Sequence, residues 1–299
     1  MQRVDIEPLR MTPVPATAEL PSVSRPRTIL GQLALASVVL AYLGVILLAP
    51  IVALVVETAK VGFGPALEAV STPDALGALE RSFWLVIIAL AVNTVAGVLG
   101  AIAIVRHRFP GRRLLSALFD LPLAVSPVMI GLGFLLLVGR DGLFAPALTE
   151  LSLKVVFSFP GLVIGTLFVT LPYTVREIAY VLEEIGTSEE EAATTLGASP
   201  WQTFFHVTLP NIRLALGYGL LMTAARTLGE FGAVLVLGGS ISGQTQTATT
   251  FIHDAIEERQ LAGAYGMAMV LAVVSVALLL VLEFAKSRRQ PATAGKAGT

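Results

Sequence analysis

The stretch SEEEAATTLGASPWQTFFHVTLP, residues 188–210, is a polar interruption in a chain that is otherwise apolar. It opens with a serine and three glutamates and closes on Leu-Pro, and long apolar runs lie on both sides of it. Of the 299 residues, 55% are hydrophobic and 14% are charged. A soluble domain carries about 25% charged residues. The composition therefore predicts an integral membrane protein, and residues 188–210 are one of its connections.

Long apolar segments predict the architecture, because a helix needs about 20 mostly apolar residues to cross a bilayer. Six segments have this length, so the predicted fold class is an all-α integral membrane protein with six transmembrane helices. Prolines in the third and fourth segments predict kinks, and Gly97 and Gly100 in the second predict close approach of a neighbouring helix. The predicted spans are residues 29–56, 82–105, 114–138, 155–178, 212–238 and 262–285, and the prolines are Pro122, Pro127, Pro160 and Pro172.

The two ends of the chain differ from its apolar middle. Residues 1–28 contain five prolines and no apolar periodicity, which predicts a disordered tail. The apolar run that follows is too long for a secretory signal and predicts a retained spanning helix. We therefore divide the chain into a disordered tail at 1–28, a six-helix transmembrane domain at 29–285 and a C-terminal tail at 286–299.

Lysine and arginine predict the orientation, because they are enriched in cytoplasmic connections. One side carries 14 of the 20 basic residues, and these lie mainly in the N-terminal tail, the 106–113 loop and the C-terminus. The opposite side carries five, and Arg226 lies within a span. Both termini and the 179–211 connection are therefore predicted to be cytoplasmic.

Local signals divide residues 188–210 into two short helices. Ser188 and Glu191 match the capping box S-x-x-E, and Gly197 suits the position just after a helix end. Ser199 and Gln202 match a second box, with Pro200 at the first helical position. Such a pair could lie on lipid headgroups or dock into a protein groove. The acids favour the groove, because a helix on an anionic leaflet favours Lys and Arg.

The fifth span carries two opposite charges in ARTLGEFGA, residues 225–233. A charge near the centre of a membrane helix costs about 2.5–3.5 kcal/mol, so it is a functional candidate by default. Arg226 and Glu230 are four residues apart and can pair on one face. Two interpretations stay open. The charges are either a structural ion pair or part of a translocation pathway or its gate, together with Gly229 and Phe231.

The pattern Glu191-Ala192-Ala193, three residues, Gly197, nine residues and Val207-x-Leu209-Pro210 resembles the EAA loop of ABC importer permeases. The usual isoleucine of that family is replaced by Val207. The resemblance implies the type I permease fold and identifies the loop as the coupling helix, which sits in a cleft of the ATPase subunit. It implies that the contact with the ATPase involves Glu191, Ala192, Ala193, Gly197, Leu209 and Pro210.

Further segments resemble the CysW-type sulfate/thiosulfate permease subunits of that family. This resemblance implies import of sulfate, together with thiosulfate, across the bacterial inner membrane. It also implies three partners, which are a second, CysT-type permease, an ATPase homodimer and an extracytoplasmic sulfate-binding protein. The segments are DLPLAVSPVMIGLGFLLLVGRDGLF (120–144), FSFPGLVIGTLFVTLPYTVRE (157–177) and GGSISGQTQTAT (238–249).

The sequence has no candidate site for bond-breaking chemistry. A phosphate-binding loop needs G-x-x-x-x-G-K-[ST], and the nearest match, residues 238–245, lacks the lysine and is interpreted as an external loop. We therefore expect no enzyme activity and no cofactor in this chain, with ATP and Mg²⁺ bound by the partner ATPase. Three scattered histidines and the absence of cysteine argue against a metal site, and a net charge of −1 argues against nucleic acid.

Two other functions remain open at this point. The first is a molybdate or tungstate permease of the same architecture, because a tetrahedral dianion of equal charge would use nearly the same contacts. The second is an ion-coupled secondary anion transporter. It would have no use for an acid-capped docking hairpin, and it would carry more ionisable residues within its spans.

Overall fold

The computed structural model describes residues 29–287, and within that range it contains only helices and their connections. The predicted tail at 1–28 and the last twelve residues of the chain lie outside the described residues. The helices are α1 (Ile29–Val61), α2 (Phe63–Val70), α3 (Pro73–Arg106), α4 (Arg112–Ala124), α5 (Pro127–Val138), α6 (Ala145–Glu150), α7 (Phe159–Ile185), α8 (Ser188–Thr195), α9 (Pro200–Thr203), α10 (Leu209–Leu228), α11 (Gly232–Gly238), α12 (Ala248–Glu257) and α13 (Leu261–Ser287), with a π-helical turn at Phe204–Thr208 between α9 and α10.

Four of the described helices, α1, α3, α7 and α13, are long and apolar enough to cross a membrane alone. The other two predicted spans are broken helices. The axes of α4 and α5 differ by 117°, and α11 is bent by 56° from the helix that ends with α10. Six crossings result if each bent pair is one span, so the predicted number is compatible with the fold. The kink predicted for 114–138 is present as a break before Pro127, whereas the break within 212–238 is not predicted by the sequence. The predicted orientation stays a prediction.

Proline chemistry explains the break between α4 and α5. Ser126 has an extended backbone with φ −61° and ψ 137°, which is the conformation favoured before a proline, and Pro127 then starts α5. Pro160 was predicted to kink the fourth span, and this is wrong. It lies in the first turn of α7, where its missing N–H removes no helical hydrogen bond.

Despite their bend, α4 and α5 extend along α7 from one end to the other. Phe119 of α4 packs with the cluster that contains Val175 and Ile178, in the C-terminal half of α7. Val138, at the end of α5, lines the same cavity as Phe157, just before α7 begins. The pair therefore has residues near both ends of α7.

The packing divides at Val52. In the N-terminal unit, the described side chains of α1 are almost all exposed and apolar. In the second unit, the two most extensive helix contacts join α7 to α3 and α7 to α10. Buried residues of these three helices form a core cluster at the end where α7 leads into α8.

Glycine brings these three helices close together. A Cβ atom on Gly97 of α3 would lie 2.5 Å from Thr174 Cγ2, and one on Gly219 of α10 would lie 2.7 Å from Thr174 Cα. A Cβ on Gly100 would meet the Phe119 ring at 2.9 Å. The close approach predicted for Gly97 and Gly100 is therefore confirmed, and small residues serve here as they do in other membrane-helix interfaces.

Buried hydrogen bonds reinforce the same region. Thr174 Oγ1 and Thr223 Oγ1 are 3.1 Å apart, and Asn93 Nδ2 donates to Thr170 Oγ1 at 2.9 Å. All four side chains belong to buried residues. We call this region the helix hub, defined as Asn93, Gly97, Thr170, Thr174, Gly219 and Thr223.

Gly219→Val is expected to destabilise the hub by about 1–3 kcal/mol, because a side chain there overlaps the backbone of α7. Thermal unfolding of the detergent-purified chain should occur several degrees lower. Gly217→Val is the matched control, because it makes the same change in α10 at a position where a Cβ meets nothing within 4 Å. Equal unfolding temperatures for the two variants would contradict the close packing at Gly219.

Candidate functional site

The 187–210 hairpin has the two-helix form predicted for it. Gly197 follows the end of α8 with φ +87°, a conformation that glycine adopts readily. Its N–H donates to the Thr194 carbonyl at 2.9 Å, and Ala198 N–H donates to the Ala193 carbonyl at 3.0 Å. These two bonds are the Schellman motif, which satisfies carbonyls left free at a helix end. The prediction that Gly197 ends the first helix is confirmed.

One of the two predicted capping boxes is present. Ser199 N–H donates to Gln202 Oε1 at 2.8 Å, and Gln202 N–H donates to Ser199 Oγ at 3.4 Å. The predicted box between Ser188 and Glu191 is wrong. Glu191 N–H donates to the Thr187 carbonyl, so α8 has its N-cap at Thr187, one residue earlier than predicted. The Thr187 hydroxyl donates to the Glu191 carboxylate at 2.6 Å.

The outer surface of the hairpin combines acidic and apolar side chains. Glu191 and Ala192 are exposed, and Leu196 and Trp201 are 89% and 72% exposed. The Trp201 ring stacks on Phe205, which is also exposed, at 6.1 Å. Large apolar side chains exposed in one patch are typical of a surface that another molecule covers.

The other predicted contact residues lie at different depths. Ala193 is half-buried and Gly197 is exposed. Leu209 and Pro210 lie in the first turn of α10, where Leu209 packs against the core cluster around Ile212. Leu209 therefore attaches the hairpin to the helix bundle, whereas Pro210 is exposed, and the exposed surface is formed by α8, α9 and the π-helical turn.

The inner side of the hairpin is held by charged residues that were not among the predicted site residues. Arg106, the last residue of α3, forms an ion pair with Glu190 of α8, with Nε and Oε2 2.8 Å apart. Glu190 Oε1 also accepts a hydrogen bond from Thr208 Oγ1 at 2.9 Å, and Glu189 Oε2 accepts one from Asn211 Nδ2 at 2.5 Å. In the sequence, Arg106 is one cation in a basic loop, and only the fold brings it to Glu190.

The predicted pair of Arg226 and Glu230 is formed, with Nη1 and Oε2 2.7 Å apart. The pair lies at a break between α10 and α11, whereas the sequence predicts one continuous fifth span. Arg226 is in the last turn of α10 and Gly229 follows its end. Glu230 Oε1 accepts a hydrogen bond at 2.9 Å from Ala233 N–H, in the first turn of α11. Each charge therefore stands at the helix end whose dipole favours it.

The two charges differ in exposure. The Glu230 side chain is 1% exposed and that of Arg226 is 26% exposed. The Glu230 carbonyl accepts a hydrogen bond from Thr249 Oγ1 at 2.7 Å, and Phe231 packs edge-on against the His253 ring. The carboxylate therefore belongs to the interior, whereas part of the Arg226 side chain is exposed.

Residues 238–249 change from exposed to buried along the chain. Within this loop only residues 239 and 241–244 are exposed, whereas 245–248 are buried. Asp254 Oδ2 accepts hydrogen bonds from Ser240 Oγ and Gln246 Nε2, and the Gln246 carbonyl accepts one from Arg81 Nε at 2.6 Å. Within residues 238–245, the stretch interpreted as an external loop, residues 239 and 241–244 are exposed, and the side of the membrane that they face stays a prediction.

Known proteins are similar to this chain in sequence or in fold. The family model for the "Binding-protein-dependent transport system inner membrane component" matches residues 93–291. The CysW sulfate transport permease of Escherichia coli K12 is 43% identical over 79% of this chain and 81% of its own length. The CysT permease of the same organism is 35% identical over 83% of this chain and 90% of its own length. A chain of a bacterial ABC transporter that imports alginate has a TM-score of 0.71 at 17% identity, and the alignment covers 88% of this chain and 96% of that one.

Proposed function

This chain belongs to the family of binding-protein-dependent transport system inner membrane components, and from that premise we propose that it is the permease subunit of an ATP-driven importer of sulfate. The chain is a multi-pass membrane protein with an all-helical permease fold. The observation that carries the proposal is the exposed, acid-capped hairpin at 187–210, set in a chain whose relatives are sulfate permeases at 35% and 43% identity.

The physics of the substrate requires an energy source outside this chain. A sulfate dianion is strongly hydrated and does not enter hydrocarbon unaided. Moving each negative charge into a negative cell costs about 2.3 kcal/mol per 100 mV. Since the sequence contains no phosphate-binding loop with its lysine, ATP and Mg²⁺ are assigned to a separate ATPase, and this chain itself hydrolyses nothing.

The 187–210 hairpin is the proposed contact with that ATPase. Its exposed glutamate and apolar side chains suit a groove in a partner, and its cap at Ser199 and Schellman turn at Gly197 make it rigid enough to act as a lever. ATP-driven closure of an ATPase pair would then move the hairpin and reorient the permease around its substrate. The residues assigned to this contact are Glu191, Ala192, Ala193, Gly197 and Pro210, with Leu209 as its attachment.

The remaining partners are inferred from the family and the relatives. The family description names a binding protein, so we assign an extracytoplasmic sulfate-binding protein as the donor. Escherichia coli has both a CysW and a CysT relative, which supports a second, CysT-type permease as the neighbour in the membrane. Thiosulfate, the sulfur analogue of sulfate with the same charge, is the proposed second substrate.

Arg226 is the proposed pathway residue of the fifth span. Its side chain is partly exposed at a helix break, and irregular backbone at membrane depth is tolerated where it lines a cavity or is buried in protein. Glu230 neutralises part of its charge, so the anion is attracted but not trapped. Gly229 and Phe231 shape the same break.

Cells that lack this chain are expected to lose radiolabelled sulfate uptake and to regain it when the chain is supplied. Unlabelled thiosulfate should compete, and molybdate should compete weakly if the pathway is tuned to sulfate. In vesicles that contain the complete complex, uptake should require the ATPase subunit and ATP. Uptake without the ATPase that depends on a proton or sodium gradient would overturn the proposal, and preferential inhibition by molybdate would reassign the substrate.

A further inference from the structure

We propose that Arg106 and Glu190 form the joint through which movement of the 187–210 hairpin reaches α3, α7 and α10. This inference rests on the proposed function, because it identifies the residues that connect the ATPase contact to the membrane helices. Both residues lie on the inner side of the hairpin, away from the exposed surface of α8 and α9.

The Arg106 guanidinium connects the ends of two long helices. Its Nη1 donates to the Leu182 carbonyl at 3.0 Å and its Nη2 donates to the Gly186 carbonyl at 2.7 Å. Both carbonyls lie at the C-terminal end of α7, where the last four carbonyls of a helix have no partner within it. The positive charge also stands at the C-terminal ends of α3 and α7, where the helix dipoles favour it.

The Glu190 carboxylate extends the same connection to two further elements. It lies in the first turn of α8, which favours an acid, and one of its oxygens pairs with Arg106 Nε at 2.8 Å. Its other oxygen accepts the Thr208 hydroxyl at 2.9 Å, just before α10 begins. The side chains of Arg106 and Glu190 are 13% and 21% exposed, so water screens this pair less than a surface pair.

The joint is the polar link between the hairpin and α3. Within the described chain, every hydrogen bond or ion pair between α3 and α8 involves Arg106. Beside the pair lies a cleft of about 330 Å³, lined by residues of α3 and of the hairpin. Because that space is not filled by packed side chains, displacement of α8 reaches the end of α3 through the ion pair. The cleft is lined by Ile102, Thr194, Ala198, Pro200, Thr203 and Phe204.

The helices that meet at the joint also meet deeper in the bundle. The helix hub holds α3, α7 and α10 at close contact around Thr174, with no space for a Cβ atom at Gly97 or Gly219. A movement imposed on their ends through Arg106 and Glu190 is therefore carried to the middle of the membrane. Glu191 receives the force from the partner, and Glu190 passes it on.

Glu190→Gln tests the joint in the complete transporter, reconstituted with its partner permease, ATPase and binding protein. The variant removes the charge and keeps an oxygen for the Thr208 hydroxyl. We expect normal assembly and ATP hydrolysis, with sulfate imported per ATP hydrolysed reduced about fivefold or more. Glu184→Gln, at an exposed glutamate of α7, is the matched control and should leave this ratio unchanged.

Three outcomes decide the inference. A reduced ratio in an assembled complex, with the control unchanged, supports it. A wild-type ratio in Glu190→Gln overturns it. Failure of the variant to assemble also overturns it, because the pair then has a purely structural role. Import by the wild-type complex is measured in the same series, so absence of ATP-dependent sulfate uptake there indicates failure of the proposed function and not of the joint.

Discussion

Glu191→Lys is expected to reduce ATP-dependent sulfate uptake by about tenfold or more while the chain stays in the membrane at its normal level. Glu191 is exposed in the first turn of α8, and its carboxylate accepts a local hydrogen bond from the Thr187 hydroxyl. Lysine reverses the charge of the proposed docking surface, and placing like charges together at an interface costs several kcal/mol. Each 1.4 kcal/mol is about a factor of ten in affinity. Radiolabelled sulfate uptake and membrane abundance measure the two effects.

Glu184→Lys is the control for this substitution. Glu184 is an exposed glutamate in the last turn of α7, outside the hairpin, where a positive charge suits the helix end. Glu184→Lys reverses the same charge close to the hairpin, so a general effect of charge would reduce uptake in both variants. Equal uptake in the two variants would remove Glu191 from the ATPase contact.

Features fixed by neighbouring residues were predictable from the sequence. The apolar segments located the spans, and Gly97 marked a close helix approach. The cap at Ser199 and the turn at Gly197 depend on bonds between residues three to five apart. At Ser188 the prediction places the N-cap one position too late, and the Thr187 hydroxyl at the actual N-cap donates to the Glu191 carboxylate and makes no capping bond. Helix boundaries commonly shift by this amount.

The features that the sequence did not predict depend on contacts between distant residues. The joint at Arg106 involves residues that are 76 to 84 positions away along the chain. The break at residues 229–231 is stabilised by Thr249, which is 19 positions from Glu230. Average hydrophobicity over a sequence window predicts a continuous apolar segment there, because Gly229 and Glu230 lower that average too little.

The burial of residues 245–247 is another feature that the sequence does not predict. A run of small polar residues is typical of an exposed loop, and the sequence contains no sign of its burial. In the fold, Thr245, Gln246 and Thr247 are buried. Thr245 Oγ1 donates to the Gly238 carbonyl, the Gln246 carbonyl accepts from the distant Arg81, and Thr247 bonds to the nearby Thr250. A buried polar group is acceptable when it is hydrogen-bonded, so burial of this loop follows from the fold and not from its composition.

The double variant Arg226→Met/Glu230→Gln is expected to fold and assemble but to lose sulfate uptake by about tenfold or more. Arg226→Met alone leaves the Glu230 carboxylate buried without its cation, which costs about 3–5 kcal/mol and should lower the amount of assembled complex. The second substitution removes that charge and keeps an oxygen for Ala233 N–H. Neutral replacement of a buried pair is often tolerated, so assembly should return. Sulfate uptake should stay low, because the double variant lacks the guanidinium that attracts the dianion.

The comparison between assembly and uptake in that double variant separates the two interpretations of the pair. Copurification with the ATPase and the partner permease measures assembly, and radiolabelled sulfate uptake measures transport. Lys60→Met/Glu57→Gln is the matched control, because it neutralises an exposed pair in α1 whose atoms are 2.6 Å apart, and exposed pairs contribute only about 0–1 kcal/mol. Recovery of both assembly and uptake would make the pair a structural brace at the helix break. Recovery of assembly alone assigns Arg226 to the anion's pathway. Glu230 then holds the Arg226 side chain at the helix break while leaving part of that side chain accessible.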